Sequence, residues 1–249
     1  MSGAPSRSGP RVALVIPTLN EEAAIAGVIA AVPAGAVDEI IVVDSGSIDR
    51  TVECARTAGA RVLVERERGY GRACHAGALA AIDCDIVVFL DGDGSDCPEL
   101  IPVLLERLLA GTHDFVIGSR SRGERERGSM SAPQLVAGFA AGAAMRLLYG
   151  VRYTDMGPFR AIRRDTLLRL GMRETTYGWN LEMQMRAARA GLRILELPVA
   201  HRRRAGGKSK VSGNLRGTLK ASWRILGTFA RIAREGADRA APLARRQTP

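Results

Sequence analysis

Aromatic residues are scarce in this chain, only 4% of 249 residues. That scarcity argues against the stacking platforms on which proteins hold single-stranded nucleic acid. Cysteine is confined to Cys54, Cys74, Cys84 and Cys97, with no pair at C-x-x-C spacing and no histidine cluster nearby. Zinc is therefore not expected, and a reduced, cytoplasmic chain is the simple reading. No uninterrupted apolar stretch reaches the roughly 18 residues that a spanning helix needs. The closest approach, residues 135–149, is interrupted by Arg146. The chain is not expected to cross a bilayer, although it is free to lie on one. Residues 1–10 are rich in Gly, Ser and Pro without an apolar run, the pattern of a flexible tail and not of a signal peptide.

What is present is enough for one large α/β domain or two small ones, with 46% hydrophobic residues to build a core. Lys and Arg number 36 against 26 Asp and Glu, a net charge of +10 that suits a polyanionic partner: nucleic acid, nucleotide or anionic membrane. The excess is local. From residue 202 onward there are 13 Lys or Arg, opposed only by Glu235 and Asp238.

Short apolar runs rich in Val and Ile stand at 12–16, 39–43, 61–64, 86–90 and 115–117, and they read as strands buried on both faces. Helical patterns separate them at 21–32, 50–58, 71–82 and 98–110. Asp49 suits the N-cap of the second helix and Pro98 the first turn of the fourth. Alternation of this kind predicts a doubly wound α/β sheet, in which ligands bind beyond the carboxyl ends of the strands. Beyond about residue 122 the alternation stops. A charged loop (123–128), an apolar helix (133–149), a further strand (192–199) and a basic amphipathic helix (214–234) follow. In that last helix Leu215, Leu219, Trp223, Leu226 and Ala230 form a stripe. It fits packing on the domain and insertion into a membrane interface equally well. No internal repeat is visible.

Asp91-Gly92-Asp93 closes the strand at 86–90. Two carboxylates one residue apart can hold a hard cation through oxygen, although an Asp-Gly turn needs no metal. Pro17-Thr18-Leu19-Asn20-Glu21 and Val43-Asp44-Ser45-Gly46-Ser47 follow two other strands on the same edge. Each could equally be a plain strand-to-helix turn. Asp155 and Arg160 flank a Gly-Pro turn, where a local ion pair is one reading and an acceptor contact the other. Arg202-Arg203-Arg204-Ala205-Gly206-Gly207-Lys208-Ser209-Lys210 is a basic, glycine-flexible loop. It lacks the first glycine of a phosphate-binding P-loop, yet its forks and point charges suit phosphate. Gly69-Tyr70-Gly71 is no dinucleotide fingerprint, because Cys74 takes the third glycine position.

The ordered set resembles the family-2 glycosyltransferases, and within them the polyprenyl-phosphate sugar synthases of the dolichyl-phosphate mannose synthase type. The resemblance runs over roughly residues 11–211. It is carried by Pro-Thr-x-Asn-Glu at 17–21, Val-Asp-x-Gly-Ser-x-Asp-x-Thr at 43–51, Asp-x-Asp at 91–93, Gly-Ser-Arg at 118–120, Asp-Met-Gly-Pro-Phe-Arg at 155–160, Tyr-Gly-Trp-Asn-Leu-Glu-Met at 177–183 and Arg-x-x-Gly-x-Ser-Lys at 204–210. It implies a GT-A fold. Pro17, Leu19, Glu21, Val43 and Ser45 would then line the nucleoside pocket. Asp91 and Asp93, with Gly92 between them, would serve Mg2+ or Mn2+ and the pyrophosphate. Arg120 would stand near the transferring sugar, Asp155 and Arg160 under the acceptor, and Arg204 and Lys210 at the phosphates. Asp93, Arg120 and Glu182 form the implied catalytic set. Ser45 stands where the family often has a second Asp, and Gly92 and Ser95 depart from the common Asp-Ala-Asp-Leu-Gln.

The expected organisation is a tail (1–10), a GT-A domain (11–211) and a basic amphipathic extension (212–249). The expected activity is inverting transfer of a sugar from a nucleotide-diphosphate donor to a polyprenyl phosphate at an anionic membrane surface, on the cytoplasmic side, with no nucleic-acid partner. One rival is transfer to a hydroxyl acceptor with Glu182 as general base. The other is a non-catalytic basic protein that binds nucleotide, nucleic acid or membrane.

Overall fold

A computed structural model describes residues 9–206 and 227–235. Its centre is a seven-stranded sheet in the order β3-β2-β1-β4-β6-β5-β7. The strands are β1 (Val12–Thr18), β2 (Glu39–Asp44), β3 (Arg61–Val64), β4 (Ile86–Phe89), β5 (Phe115–Ser119), β6 (Arg160–Arg163) and β7 (Ile194–Pro198). β1 is buried along its whole length and pairs in parallel with β2 and β4. Only β6 runs the other way, antiparallel to both β4 and β5. The architecture is thus the mostly parallel α/β sheet expected, with one reversed strand inserted.

Alternation along each strand feeds two cores. Ala13 and Val15 of β1 join Val43, Cys74, Ala78, Trp179 and Met185 on one face. Val12, Leu14 and Ile16 join Ile25, Ala55, Leu104 and Leu108 on the other. Each buried Val, Leu or Ile contributes about 1.5–3 kcal/mol, and both faces need covering because both are apolar. The helices that cover them are α1 (Ile25–Ala30), α2 (Thr51–Thr57), α3 (Tyr70–Ala80), α4 (Ile101–Leu109), α5 (Ala132–Tyr149), α6 (Arg164–Arg169) and α7 (Trp179–Arg189).

The first helix is shorter than its sequence pattern. Asn20 takes a positive φ of 53°, and Glu21 N–H is held by Thr51 Oγ1 at 2.7 Å, so the chain turns before it coils. α5 begins where Ser131 N–H and Oγ–H both donate to Gln134 Oε1 (2.7 and 3.0 Å), and it ends at Gly150 with φ 69°. Residues 227–234 are helical; buried Thr228 donates to Glu174 Oε2 at 2.7 Å, and the carbonyl of buried Ile232 accepts from Arg189 Nη1 of α7 at 2.9 Å. Lys210 and the predicted stripe from Leu215 to Leu226 lie outside the described residues.

Candidate active site

The loops after β1 and β2 are stitched into one surface. The Asp44 carboxylate accepts from Gly46 N–H (3.0 Å), Ser47 N–H (2.9 Å) and the Ser47 hydroxyl. Ser47 Oγ in turn accepts from Asn20 N–H at 2.8 Å, and Asn20 Oδ1 from Ile48 N–H at 2.9 Å. Asp49 Oδ1 accepts from Thr51 N–H (3.0 Å) at the start of α2, and these bonds outweigh partial burial to hold its carboxyl below the usual range. Leu19 is half-buried at this edge, with Pro17 and Ser45 buried beside it. The Val43 side chain packs beneath α3 against Gly77, and its carbonyl accepts from Thr18 Oγ1 at 3.4 Å.

At the carboxyl end of β4, Asp91 N–H donates to Asp96 Oδ2 at 3.0 Å. Gly92 is required here: an added Cβ would stand 2.7 Å from Thr18 Cγ2 and 3.2 Å from Ile16 Cγ2. Asp91 Oδ1 is buried and has no hydrogen-bond partner among the described residues. Burial first, then the charges of Asp93 and Asp96, push its carboxyl well above the ordinary range, against the pull of Arg120. The Tyr70 hydroxyl at the start of α3 is likewise buried beside the Asp91 carboxyl, which it helps to hold down, while burial and the Asp91 charge raise the hydroxyl itself. An orphaned, desolvated carboxylate oxygen beside a second carboxylate suits a divalent cation. Among the described residues no three His, Cys, Asp or Glu side chains converge on a metal position. Any cation here would therefore take at most two protein carboxylates and complete its shell with phosphate and water.

Asp93 is already engaged. Its Oδ1 accepts from Ser95 N–H (2.9 Å) and Ser95 Oγ (2.6 Å), and its Oδ2 from Arg204 Nη1 (2.6 Å). Arg204 Nη2 reaches both oxygens of Glu21, at 2.6 and 2.8 Å. Three residues drawn from distant parts of the sequence thus meet at one point. The neighbouring arginines turn elsewhere: Arg202 pairs with Glu99, and Arg203 donates to Arg127 O at 2.6 Å. Asp96 and His201, both buried, face each other at 3.7 Å between the metal-type loop and the arginine loop.

Arg120 and Asp155 form a third centre. Arg120 donates to the Asp155 carboxylate from its backbone N–H (2.9 Å), Nε (2.7 Å) and Nη2 (2.8 Å). Burial raises the Asp155 carboxyl, but the Arg120 bonds and charge outweigh it and hold the group below the usual range. The Glu196 carboxylate fixes the same turn through Thr154 N–H (2.9 and 3.0 Å) and Thr154 Oγ1 (2.8 Å).

Two residues of the implied set sit elsewhere. Arg160 makes no ion pair with Asp155. It is wholly buried, donates to the carbonyls of Pro158 (3.3 Å), Asn180 (3.1 Å) and Gly157, and lies over the Phe115 ring. Desolvation lowers its pKa. It braces the turn from beneath and presents nothing to solvent. Glu182 is also wholly buried, and its two oxygens accept from Arg173 N–H (2.9 Å), Glu174 N–H (2.5 Å), Arg186 Nε (2.9 Å) and Arg231 Nη2 (3.2 Å). Asp96 and Glu196 escaped the sequence reading, because no motif spacing ties them to the site, and Tyr70 was met only in a glycine pattern that fits no dinucleotide fingerprint.

A mostly parallel sheet with a carboxylate pair at the exit of its central strand, flanked by nucleotide-type loops, is the GT-A fold of nucleotide-sugar transferases. Residues 13–171 match the family described as glycosyl transferase family 2, and the chain belongs to it. An uncharacterized glycosyltransferase of Mycobacterium tuberculosis is 40% identical over 224 residues, 88% of this chain and 99% of that one. The undecaprenyl-phosphate mannosyltransferase of Micrococcus luteus is 33% identical over 83% of this chain and 90% of its own length. Among solved structures, glucosyl-3-phosphoglycerate synthase of M. tuberculosis with Mn2+, UDP-glucose and glycerol 3-phosphate superposes with a TM-score of 0.72 at 29% identity, covering 91% of this chain and 81% of that one.

Proposed function

We propose that this glycosyltransferase moves a sugar, with inversion, from a nucleotide-diphosphate donor to a polyprenyl phosphate at the cytoplasmic surface of an anionic membrane. The donor half of that reading is supported by the paired loops after β1 and β2 and by Asp91 with its free buried oxygen. Asp91 and Asp93 would hold Mg2+ or Mn2+, which would neutralise charge on the leaving nucleoside diphosphate. Arg120, fixed on Asp155, would orient the reacting phosphate or sugar; among the described residues its Nη1 carries no hydrogen bond. Its work is positioning and charge stabilisation. Pro17, Leu19, Glu21, Ser45 and the Val43 backbone would receive the nucleoside. Arg204 and Lys210 would face the phosphates.

The acceptor reading rests on one observation: Glu182, the carboxylate a hydroxyl acceptor would need as base, is buried and saturated with donors. A phosphate acceptor is already ionised and needs no base. The mannosyltransferase among the relatives points the same way. A second reading, transfer to a small phosphorylated metabolite, draws on the likeness to glucosyl-3-phosphoglycerate synthase.

The membrane surface is supported by α5. Val136, Phe139, Leu147 and Leu148 are 67%, 77%, 87% and 47% exposed on it, and Gly142 packs it against Tyr153 O next to the Arg120–Asp155 centre. No helix among the described residues is long and apolar enough to span a membrane. Exposed Arg125, Arg127 and Arg146 are placed to meet anionic headgroups, each adding about 1 kcal/mol near such a surface.

Two measurements test the proposal. In the first, Asp93→Asn is expected to abolish Mn2+-dependent stabilisation by UDP or GDP and transfer to undecaprenyl phosphate, while keeping a cooperative melt. A variant that transfers at the wild-type rate removes the carboxylate pair from the chemistry. In the second, full-length protein is expected to sediment with anionic vesicles at low salt and to leave them at high salt. Failure to sediment at low salt favours a soluble acceptor.

A further inference from the structure

The segment 201–206 is seated on the metal-type loop. Ala205 N–H donates to Asp93 O at 3.0 Å and Arg202 N–H to Ser95 O at 2.8 Å. Gly94, at φ +78°, lies against Ala205. From this seat the Arg204 fork spans two carboxylates, Asp93 and Glu21, that are only 6% and 8% exposed. Two such anions, poorly hydrated and close together, repel unless a cation stands between them. The Arg204 guanidinium stands between them, 2.6 Å from each. Yet the proposed donor complex needs the same Asp93 carboxylate. A divalent ion bonded to it would lie within a few ångströms of a fixed positive charge, an unfavourable contact in a desolvated site.

We propose that Arg204 is an exchangeable counter-ion, holding Asp93 and Glu21 while the site is empty and passing from Asp93 to the donor diphosphate as metal and nucleotide enter. The inference rests on the metal-dependent reading above. Arginine suits both stations, because its planar fork bridges two carboxylates and binds phosphate equally well. Lysine, a single point charge, cannot bridge both. The exchange also gives the loop a stake in donor arrival: Arg204 lies between the two amides that anchor it, so releasing its side chain removes the strongest of the loop's ties to Asp93. A simple phosphate clamp would assist binding at every stage. An exchangeable counter-ion opposes metal before the nucleotide arrives and assists afterwards, so the two ideas predict opposite signs.

The test titrates Mn2+ alone, then Mn2+ with UDP or GDP, into full-length wild type, Arg204→Ala and Arg204→Lys, reading free Mn2+ by electron paramagnetic resonance. Arg204→Ala is expected to bind Mn2+ alone about tenfold more tightly and the nucleotide–Mn2+ pair about tenfold more weakly than wild type. Arg204→Lys should shift both in the same directions by less. If Arg204→Ala does not fold, the lysine variant decides by the same signs. Mn2+ binding in the variants that equals or falls below wild type overturns the exchange, while wild-type uptake of nucleotide with Mn2+ leaves the metal reading standing. If wild type takes up no Mn2+ with either nucleotide, the metal reading falls and the exchange with it.

Discussion

Replacing Glu182 by Gln separates the two acceptor chemistries through a predicted split between stability and rate. All four acceptor positions of the buried carboxylate are used, two by backbone N–H groups of residues 173 and 174 and two by Arg186 and Arg231. An amide keeps one acceptor oxygen and aims two N–H donors at groups that are themselves donors. Removing one partner of a buried ion pair costs about 3–5 kcal/mol. Here the loss should fall at or below the bottom of that range. Glu235 still reaches Arg186 at 3.2 Å and Arg231 at 3.1 Å, and the Arg231 side chain is 37% exposed. With about 2–3 kcal/mol lost, the melting midpoint should drop by about 4–12 °C for a domain of this size. The damage is confined to α7, the 227–234 helix and the 173–174 turn. Transfer assayed well below the midpoint should therefore stay within about tenfold of wild type, with KM for the nucleotide sugar unchanged. A general base contributes about 10²–10⁴ in rate. A thousandfold fall in kcat with an unmoved midpoint and intact donor affinity would refute the reasoning and make Glu182 the base of a hydroxyl acceptor.

Two further substitutions probe the other centres. Asp155→Asn leaves the half-buried Arg120 without its carboxylate and should destabilise by about 3 kcal/mol, the lower end of the range for breaking a buried pair, in denaturant unfolding at neutral pH. Because the folded Asp155 pKa is depressed, its contribution is full above the unfolded value of about 4 and is lost as pH falls through the lower folded one. Wild type should therefore shed stability in strong acid that the variant never had, and matching acid profiles would contradict the pairing. Gly92→Ala drives a methyl against Thr18 and Ile16 on β1 and should cost about 1–3 kcal/mol by thermal melt while misplacing Asp91 and Asp93; an unchanged melt and unchanged nucleotide binding would show that the loop yields.

The parallel strands were legible because each is a Val/Ile run covered on both faces, a pattern that needs no partner to interpret. β6 was not. Arg160-Ala161-Ile162-Arg163 carries an arginine at each end, and only the carbonyl cage around Arg160 makes its burial tolerable. The first helix pattern overran for a related reason: Asn20 and Glu21 spend their polar groups on the β2 loop and Thr51, contacts about thirty residues away that override local propensity. In the site, Asp91-Gly92-Asp93 stood out because both carboxylates share one turn. The bridge from Arg204 to Glu21 spans 183 positions, and no spacing rule encodes it. Asp155 was read beside Arg160, its neighbour in sequence, whereas its partner in space is Arg120. The predicted apolar stripe of the last helix runs through Ala230, but the face that packs holds Thr228 and Ile232, with Arg231 and Glu235 in the ion network around Glu182.

The reversed strand explains why these centres meet at all. β1, β2, β4, β5 and β7 all run the same way and deliver their exit loops to one edge of the sheet: residues 19–24, 45–50, 91–97, 120 onward and 199–206. A further parallel strand would receive its entering loop at the opposite edge. Because β6 is antiparallel, Arg160 opposite Phe89, the turn that enters it arrives at the ligand edge instead. That places Asp155 within 2.7 Å of Arg120, which has just left β5. It also sets residue 160 at the mouth of a strand buried on both faces, so its guanidinium must take backbone carbonyls in place of water. The parallel half of the sheet thus builds the proposed donor loops, and the mixed half can bring an entering and an exiting loop together at the same edge. In open α/β sheets ligands gather beyond the carboxyl ends of the strands, where strand order reverses. Here that point lies between β1 and β4, where the 19–24 and 91–97 loops leave, and the turn that enters β6 arrives beside it. Reversing β6 would break the Arg120–Asp155 pair without altering a single residue of the proposed donor site.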